Sequence, residues 1–218
     1  MLYLIEPDTY AMYREDLDNM YRFRHKIFFD KLNWEVNSQD GMEKDQFDER
    51  DTYYLIYKDE NGIIRGCVRF IEMVNECMFD RPFKSALPNV DEFKRAGYWE
   101  VSRFAVDTNI GNYYKEYMNK NIARILWSGV IDFSIRSKKV ECYLALTYLS
   151  FKKLSEKYGL FIYDLNKINL NGDQMFIWAF PPMSYSFNKL MKNLECSSKS
   201  KIICNLNSDK YENNFIYI

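Results

Sequence analysis

Apolar positions along this chain fall into two periods, and their order predicts an architecture. Leu2-Tyr3-Leu4-Ile5 reads as an opening strand. From Tyr10 to about Leu32 the positions Tyr13, Leu17, Met20, Ile27 and Phe28 recur at helical spacing. Residues 33–51 are polar and acidic without periodicity, which predicts a mobile or functional loop at that length. Thr52–Lys58 alternates as a strand, Asp59-Glu60-Asn61-Gly62 supplies a hairpin turn with the favoured Asn-Gly pair, and Ile63–Met73 is the return strand. Residues 74–97, with Pro82 and Pro88, form a long excursion with a short helical piece around Val90–Arg95.

Residues 98–106 are the next strand, and Asn109–Ser137 is a long helix through Tyr113, Tyr117, Ile122, Ile125, Leu126, Val130 and Phe133. Val140–Thr147 reads as a strand, and Phe151–Tyr158 as a helix ended by Gly159. Strands follow at Leu160–Leu165 and Met175–Phe180, the latter stopped by Pro181-Pro182. Ser184 caps a helix running to about Leu194, and Lys201–Leu206 adds a short strand in a tail, 196–218. The order predicts one domain over 1–218, a mixed α/β sandwich with helices on both faces of one sheet.

Composition narrows the class. At 218 residues, with 47% hydrophobic and 17% aromatic content, the chain can bury one core and is not disordered. No apolar run reaches the roughly 18–20 residues of a membrane span, and the first six residues do not resemble a signal peptide. The five cysteines (67, 77, 142, 196 and 204) have no metal-binding spacing, so reduced, mostly buried thiols and a cytoplasmic location are expected. The net charge of −1 hides an asymmetry: residues 1–109 hold 15 basic against 22 acidic side chains, and residues 110–218 hold 15 against 9. The basic half suits an acidic protein partner or nucleic acid, although basic helices without interleaved aromatics give the latter little support. A solvated helix surface explains the same charges.

Several charges run against the pattern. Arg24 lies in the apolar stripe of the first helix, Arg69 shares a strand face with Cys67 and Ile71, and Glu100 and Arg103 interrupt Tyr98–Val106. In a regular strand, residues 100 and 103 point to opposite faces, so one shared site requires a bulge between them. With Asp45 and Asp48 these make three arginines and three acids, able to bind a carboxylate and an ammonium or sulfonium group. Phe28, Trp34 and Phe104 could stack on a base. The set therefore suits a small ligand with an amino-acid head and an aromatic ring, or else forms a buried structural ion network.

The spacings Arg24-(x)3-Phe28-(x)5-Trp34 and Asp45-(x)2-Asp48, with Arg69 in Gly66-Cys67-Val68-Arg69-Phe70 and the run Glu100-Val101-Ser102-Arg103-Phe104, resemble the acyl-homoserine-lactone synthases, the Lux-type autoinducer synthases. The match is close over the first half and extends to the second by element order. The resemblance implies a GNAT-like three-layer sandwich whose splayed central strands hold a pantetheine arm. It also implies acyl transfer from acyl carrier protein, or acyl-coenzyme A in some members, to the amine of S-adenosylmethionine. Lactonisation then releases methylthioadenosine, and no separate cofactor or metal is needed. On this basis Glu100 is the expected proton acceptor, and Arg24 or Arg103 orients the substrate carboxylate. Phe28 and Trp34 cover the ligand beneath the 33–51 loop, with Asp45, Asp48 and Arg69 fixing that loop. Lys138, Lys139, Lys152 and Lys153 are the expected contacts for an acidic carrier protein. Where 3-oxo-acyl members carry a threonine this chain has Ala145, which implies an unsubstituted acyl chain. Two alternatives stay open. One is a GNAT-type N-acyltransferase using acyl-coenzyme A on another amine, although Asp107–Asn112 holds only one glycine for a pyrophosphate loop. The other is a non-catalytic adenosyl-ligand sensor.

Overall fold

A computed structural model describes residues 1–48, 51–107 and 115–195. In chain order the strands are β1 (Leu2–Ile5), β2 (Ser38–Gln39), β3 (Met42–Glu43), β4 (Thr52–Lys58), β5 (Ile64–Glu72), β6 (Tyr98–Val106), β7 (Cys142–Tyr148), β8 (Tyr163–Leu170) and β9 (Asp173–Phe180). The helices are α1 (Arg14–Arg24), α2 (Lys115–Ser137), α3 (Leu149–Tyr158) and α4 (Ser184–Glu195). Seven strands form one sheet in the order β1-β4-β5-β6-β7-β9-β8, and β2 pairs with β3 alone. The sheet is mixed: β6 and β7 run parallel, whereas β1–β4, β7–β9 and β8–β9 are antiparallel. Its contacts divide the chain into two units, Met1–Arg69 with Arg103–Gly129, and Phe70–Ser102 with Val130–Ser197.

In the first unit helices cover both sheet faces, as the alternation of the strands requires. Ile5, Tyr54, Ile56 and Cys67 join Leu17, Met20 and Tyr21 of α1 in one core. The intervening residues face α2, where two glycines permit close approach. A Cβ at Gly129 would come within 2.5 Å of Leu2, and one at Gly66 within 2.8 Å of Ile122. In the second unit Phe133 of α2 packs between Phe70 and Trp99, at ring separations of 5.1 and 5.6 Å. Tyr143 adds an edge contact to Phe70 and bonds Ser134 at 2.7 Å. α3 ends at Gly159, whose φ of +103° lets its N–H close the last turn.

Most expected elements are present, and the differences have local causes. The helix expected from Tyr10 to Leu32 is α1 followed by a π-helix, His25–Lys31. The 33–51 loop contains the β2–β3 hairpin, because Asp40 and Gly41 both adopt positive φ (52° and 72°) and make the tight turn that such a pair favours. Asn171 and Gly172 do the same (49° and 90°), so the strand expected at 160–165 instead begins at Tyr163 and runs to Leu170. In Asn61-Gly62 only the glycine has positive φ, and Asp59 closes that wider loop by accepting from Asn61 and Ile63 N–H. Ser184 is the first helical residue of α4 rather than its cap. The 74–97 excursion holds three 3-10 turns, Met78–Asp80, Lys84–Ala86 and Val90–Phe93. Residues 108–114 at the start of the expected 109–137 helix, the tail strand at 201–206, Cys196 and Cys204 lie outside the described residues. Burial pushes the Cys67 thiol up to about 12 and that of Cys142 to about 11, so both stay protonated. Among the described residues, no helix is long and apolar enough to cross a membrane.

The strand β6 is bent out of regular alternation. Trp99 meets Phe133 of α2, and Phe104, five residues later, meets Trp127 of the same helix at 4.9 Å. An odd separation in a regular strand puts two side chains on opposite faces, so the alternation inverts once between them. Arg103 is where it does so, with φ +51°, a conformation that strains a non-glycine residue by about 1–3 kcal/mol. The irregularity expected between residues 100 and 103 is therefore present at Arg103 itself. β6 pairs with β7 from Tyr98↔Cys142 to Val101↔Ala145, ahead of Arg103.

Candidate active site

The first unit holds a closed ring of six alternating charges. Arg24 forks onto Asp48, with Nη1–Oδ1 at 2.7 Å and Nη2–Oδ2 at 2.8 Å, while its Nε donates to Glu43 at 2.5 Å. Glu43 also meets Nη2 of Arg103 at 2.9 Å, and the same nitrogen reaches Asp45 at 2.8 Å. Asp45 then accepts from Arg69 at 2.6 Å, and Arg69 closes the ring on Asp48 at 3.2 Å. Three guanidinium groups face three carboxylates, so the ring is neutral while presenting strong local fields.

Local sequence builds each member into place. Arg24 is the last residue of α1, at the junction with the π-helix, an uncommon geometry that recurs at functional sites. Trp34 N–H donates to the Phe28 carbonyl at 2.9 Å, folding the chain back so that the two rings stack at 5.0 Å and 16°. The tight Asp40-Gly41 turn carries Glu43 to Arg24, and His25, the one histidine of the chain, ties the hairpin down through Ser38 Oγ at 2.5 Å. Asp45 and Asp48 cap one another's turn: Asp45 N–H donates to Asp48 Oδ2, and Phe47 N–H donates to Asp45 Oδ1. Their remaining acceptor capacity faces the arginines.

The ring has a sealed side and an accessible edge. Arg24, Glu43 and Asp48 are fully buried, whereas the Asp45 and Arg103 side chains keep 12% and 16% of their surface. Burial alone would raise the Asp48 carboxyl pKa, but Arg24 and Arg69 outweigh it and hold that group well below the usual carboxylate range. Burial disfavours charge on Arg24 too, and Asp48 and Glu43 overcome it. The Tyr54 hydroxyl donates to Asp48 Oδ1 at 2.8 Å, while burial and the Asp48 charge push the Tyr21 hydroxyl up to about 12. At the accessible edge the Arg103 guanidinium lies 5.6 Å from the centre of the Phe28 ring.

The structure thus brings together Arg24, Arg69, Arg103, Asp45, Asp48, Phe28 and Trp34. Burial of Arg24 removes the simpler possibility that it reaches solvent from the helix. Glu100 is not the third acid of the ring. Glu43 takes that place, and Tyr54 joins it; the Asp40-Gly41 turn was the signal for Glu43. Glu100, in the second unit, is fully buried and accepts from Met78 N–H at 2.7 Å through Oε2. Phe104 packs on Trp127. Ala145 is buried in β7 between Val101 and Trp178, and Trp178 Nε1 donates to Thr147 Oγ1 at 2.8 Å. Lys138, Lys139 and Lys153 are exposed, but Lys152 is largely covered and paired with Glu156 and Asp164. The stretch that would hold a pyrophosphate loop, 108–112, lies outside the described residues.

Comparison with known proteins bears on this arrangement. The sequence profile of the family described as autoinducer synthase matches residues 8–186. An acyl-homoserine-lactone synthase of Agrobacterium fabrum is 31% identical over 156 residues, 71% of this chain and 73% of that protein. Among solved structures, a CoA-dependent acyl-homoserine lactone synthase, BjaI, determined with SAM and isopentyl-CoA, superposes with a TM-score of 0.76 at 19% identity, covering 89% of each chain. An acyl-CoA N-acyltransferase from Pseudomonas aeruginosa shares the fold more distantly, with a TM-score of 0.54 at 9% identity over 82% of this chain and 98% of that one. The fold is therefore GNAT-like, and the chain is an enzyme that belongs to the autoinducer synthase family of acyl-homoserine-lactone synthases.

Proposed function

We propose that this enzyme transfers an unsubstituted acyl group from acyl carrier protein to the α-amine of S-adenosylmethionine, then closes the lactone and releases methylthioadenosine. The accessible edge of the charge ring carries the reading: Arg103 and Asp45 offer one positive and one negative group beside Phe28, whose ring stacks on Trp34. An amino-acid head needs that pair of charges, and a sulfonium with its adenine ring needs the aromatic surface. The 33–51 segment closes over the ligand in this scheme.

In the first step Glu100, directly or through one water, takes the amine proton. An α-amine has a pKa of about 7.7–8, so only a small driving force is needed near neutrality. The amine forms a bond to the thioester carbonyl carbon, the carbon–sulfur bond breaks, and the thiolate leaves with a proton. In the second step a substrate carboxylate oxygen attacks its own γ-carbon, and the bond to the sulfonium breaks to give neutral methylthioadenosine. Arg103 directs that carboxylate through Nη1, since its Nε and Nη2 hold the ring. Arg24 has Nε, Nη1 and Nη2 bonded within the ring, so its role is positioning.

In this scheme the thioester arm lies against β7, and exposed Lys138, Lys139 and Lys153 steer an acidic carrier protein. Ala145 brings no hydroxyl to an acyl chain, and the Thr147 hydroxyl is engaged by Trp178, which favours an unsubstituted chain. The test supplies the purified enzyme with S-adenosylmethionine and a panel of acyl-carrier-protein and acyl-coenzyme A thioesters. Lactones are read by mass spectrometry and methylthioadenosine by chromatography. Equal amounts of both, formed faster from the carrier protein, are expected. Preference for coenzyme A replaces the donor, products dominated by 3-oxo chains remove the acyl assignment, and absence of both products overturns the reading.

A further inference from the structure

Glu100 is set by a device in the 74–97 excursion. The 3-10 turn Met78–Asp80 offers two consecutive N–H groups at its start, and each goes to a different carboxylate. Met78 N–H donates to Glu100 Oε2 at 2.7 Å, and Cys77 N–H donates to Asp80 Oδ2 at 2.8 Å. Lys94, sixteen residues on from Met78 and at the far end of the same excursion, clamps this turn. Its Nζ donates to Asp80 Oδ2 at 2.7 Å and to the Asn75 carbonyl at 2.6 Å, so one ammonium grips both sides of Cys77. The chain then re-enters β6, where Met73 N–H meets the Tyr98 carbonyl at 2.7 Å, two residues before Glu100. The Cys77 thiol is pushed up by burial, then by the Glu100 and Asp80 charges.

We propose that Lys94 and Asp80 are positioning residues for the acylation step, holding the Met78 N–H that fixes the plane of the Glu100 carboxylate. Both side chains keep about a fifth to a quarter of their surface, 21% and 24%, so removing one leaves no sealed charge and the fold survives. The inference rests on Glu100 accepting the amine proton. A hydrogen bond to one carboxylate oxygen sets the direction in which the other can receive that proton, and geometry of this kind governs rate more than binding.

Lys94→Met, Asp80→Asn and the double variant are compared by steady-state kinetics with S-adenosylmethionine as the varied substrate, alongside thermal melts. Each single change is expected to lower kcat about 10-fold, within the 10²-fold loss that a 1 Å misplacement can bring. KM and the melting midpoint should stay near the parent values, the double variant should fall no further, and Lys94→Arg should restore most of kcat. Unchanged kcat in the single variants, or a joint decline of kcat, KM and midpoint, overturns the inference. Glu100→Gln separates the two levels. If it abolishes turnover while Lys94→Met does not, only the positioning role fails; if Glu100→Gln turns over normally, the role of Glu100 fails and this inference with it.

Discussion

Arg24 and Glu100 are both buried to zero exposure in apolar stretches, yet they are satisfied in opposite ways. Around Arg24 the partners are charged side chains from distant parts of the sequence, and all its bonding directions named above are taken by Asp48 and Glu43. Around Glu100 one partner is a neutral backbone N–H on a short turn. A saturated ion pair in a dry setting is a fixture: its members cannot turn to a ligand without leaving another charge stranded. A carboxylate that accepts from a backbone N–H is not tied to a fixed counter-charge through that bond. On the proposed mechanism the two regions separate scaffold from reaction.

Breaking the scaffold should have the larger thermodynamic effect. Arg24→Met leaves Glu43 and Asp48 buried without their shared guanidinium and is expected to destabilise the fold by about 3–5 kcal/mol, read from the urea midpoint. At the accessible edge Arg103→Lys keeps the charge and the backbone strain but loses the planar fork. Turnover should drop by 10-fold or more while stability changes by less than about 1 kcal/mol, and equal losses at both arginines would erase the distinction between sealed and accessible members. The smallest effect is on acid stability. Asp48 is held below its ordinary pKa, so its contribution is complete above about pH 4 and is lost as pH falls toward the folded value. Urea midpoints measured from about pH 5 down to pH 3 should decline in the parent and more shallowly in Asp48→Asn.

The charges were visible in the sequence because each broke an apolar period, and the positive φ of Arg103 is the irregularity expected between residues 100 and 103. Glu43 stayed hidden for the opposite reason: it lies in a polar stretch, where an acid contradicts nothing. Only the adjacent Asp40-Gly41 turn marked it, through positive φ at two successive residues. The same dipeptide logic applied to Asn61-Gly62 gave the right hairpin by a different turn, since Asp59 closes that loop from its side chain. Which acid meets which arginine was not legible, because pairings across 19 to 60 residues depend on how loops return to the sheet.

The central claim, that Glu100 takes the amine proton while the ring positions the substrate, is tested most directly by Glu100→Gln. The isosteric amide keeps an oxygen for Met78 N–H and removes the base. Calorimetric affinity for S-adenosylmethionine should be retained, while methylthioadenosine release with a competent acyl thioester falls by about 10²–10⁴-fold, the usual contribution of a general base. Release at the parent rate would contradict the account.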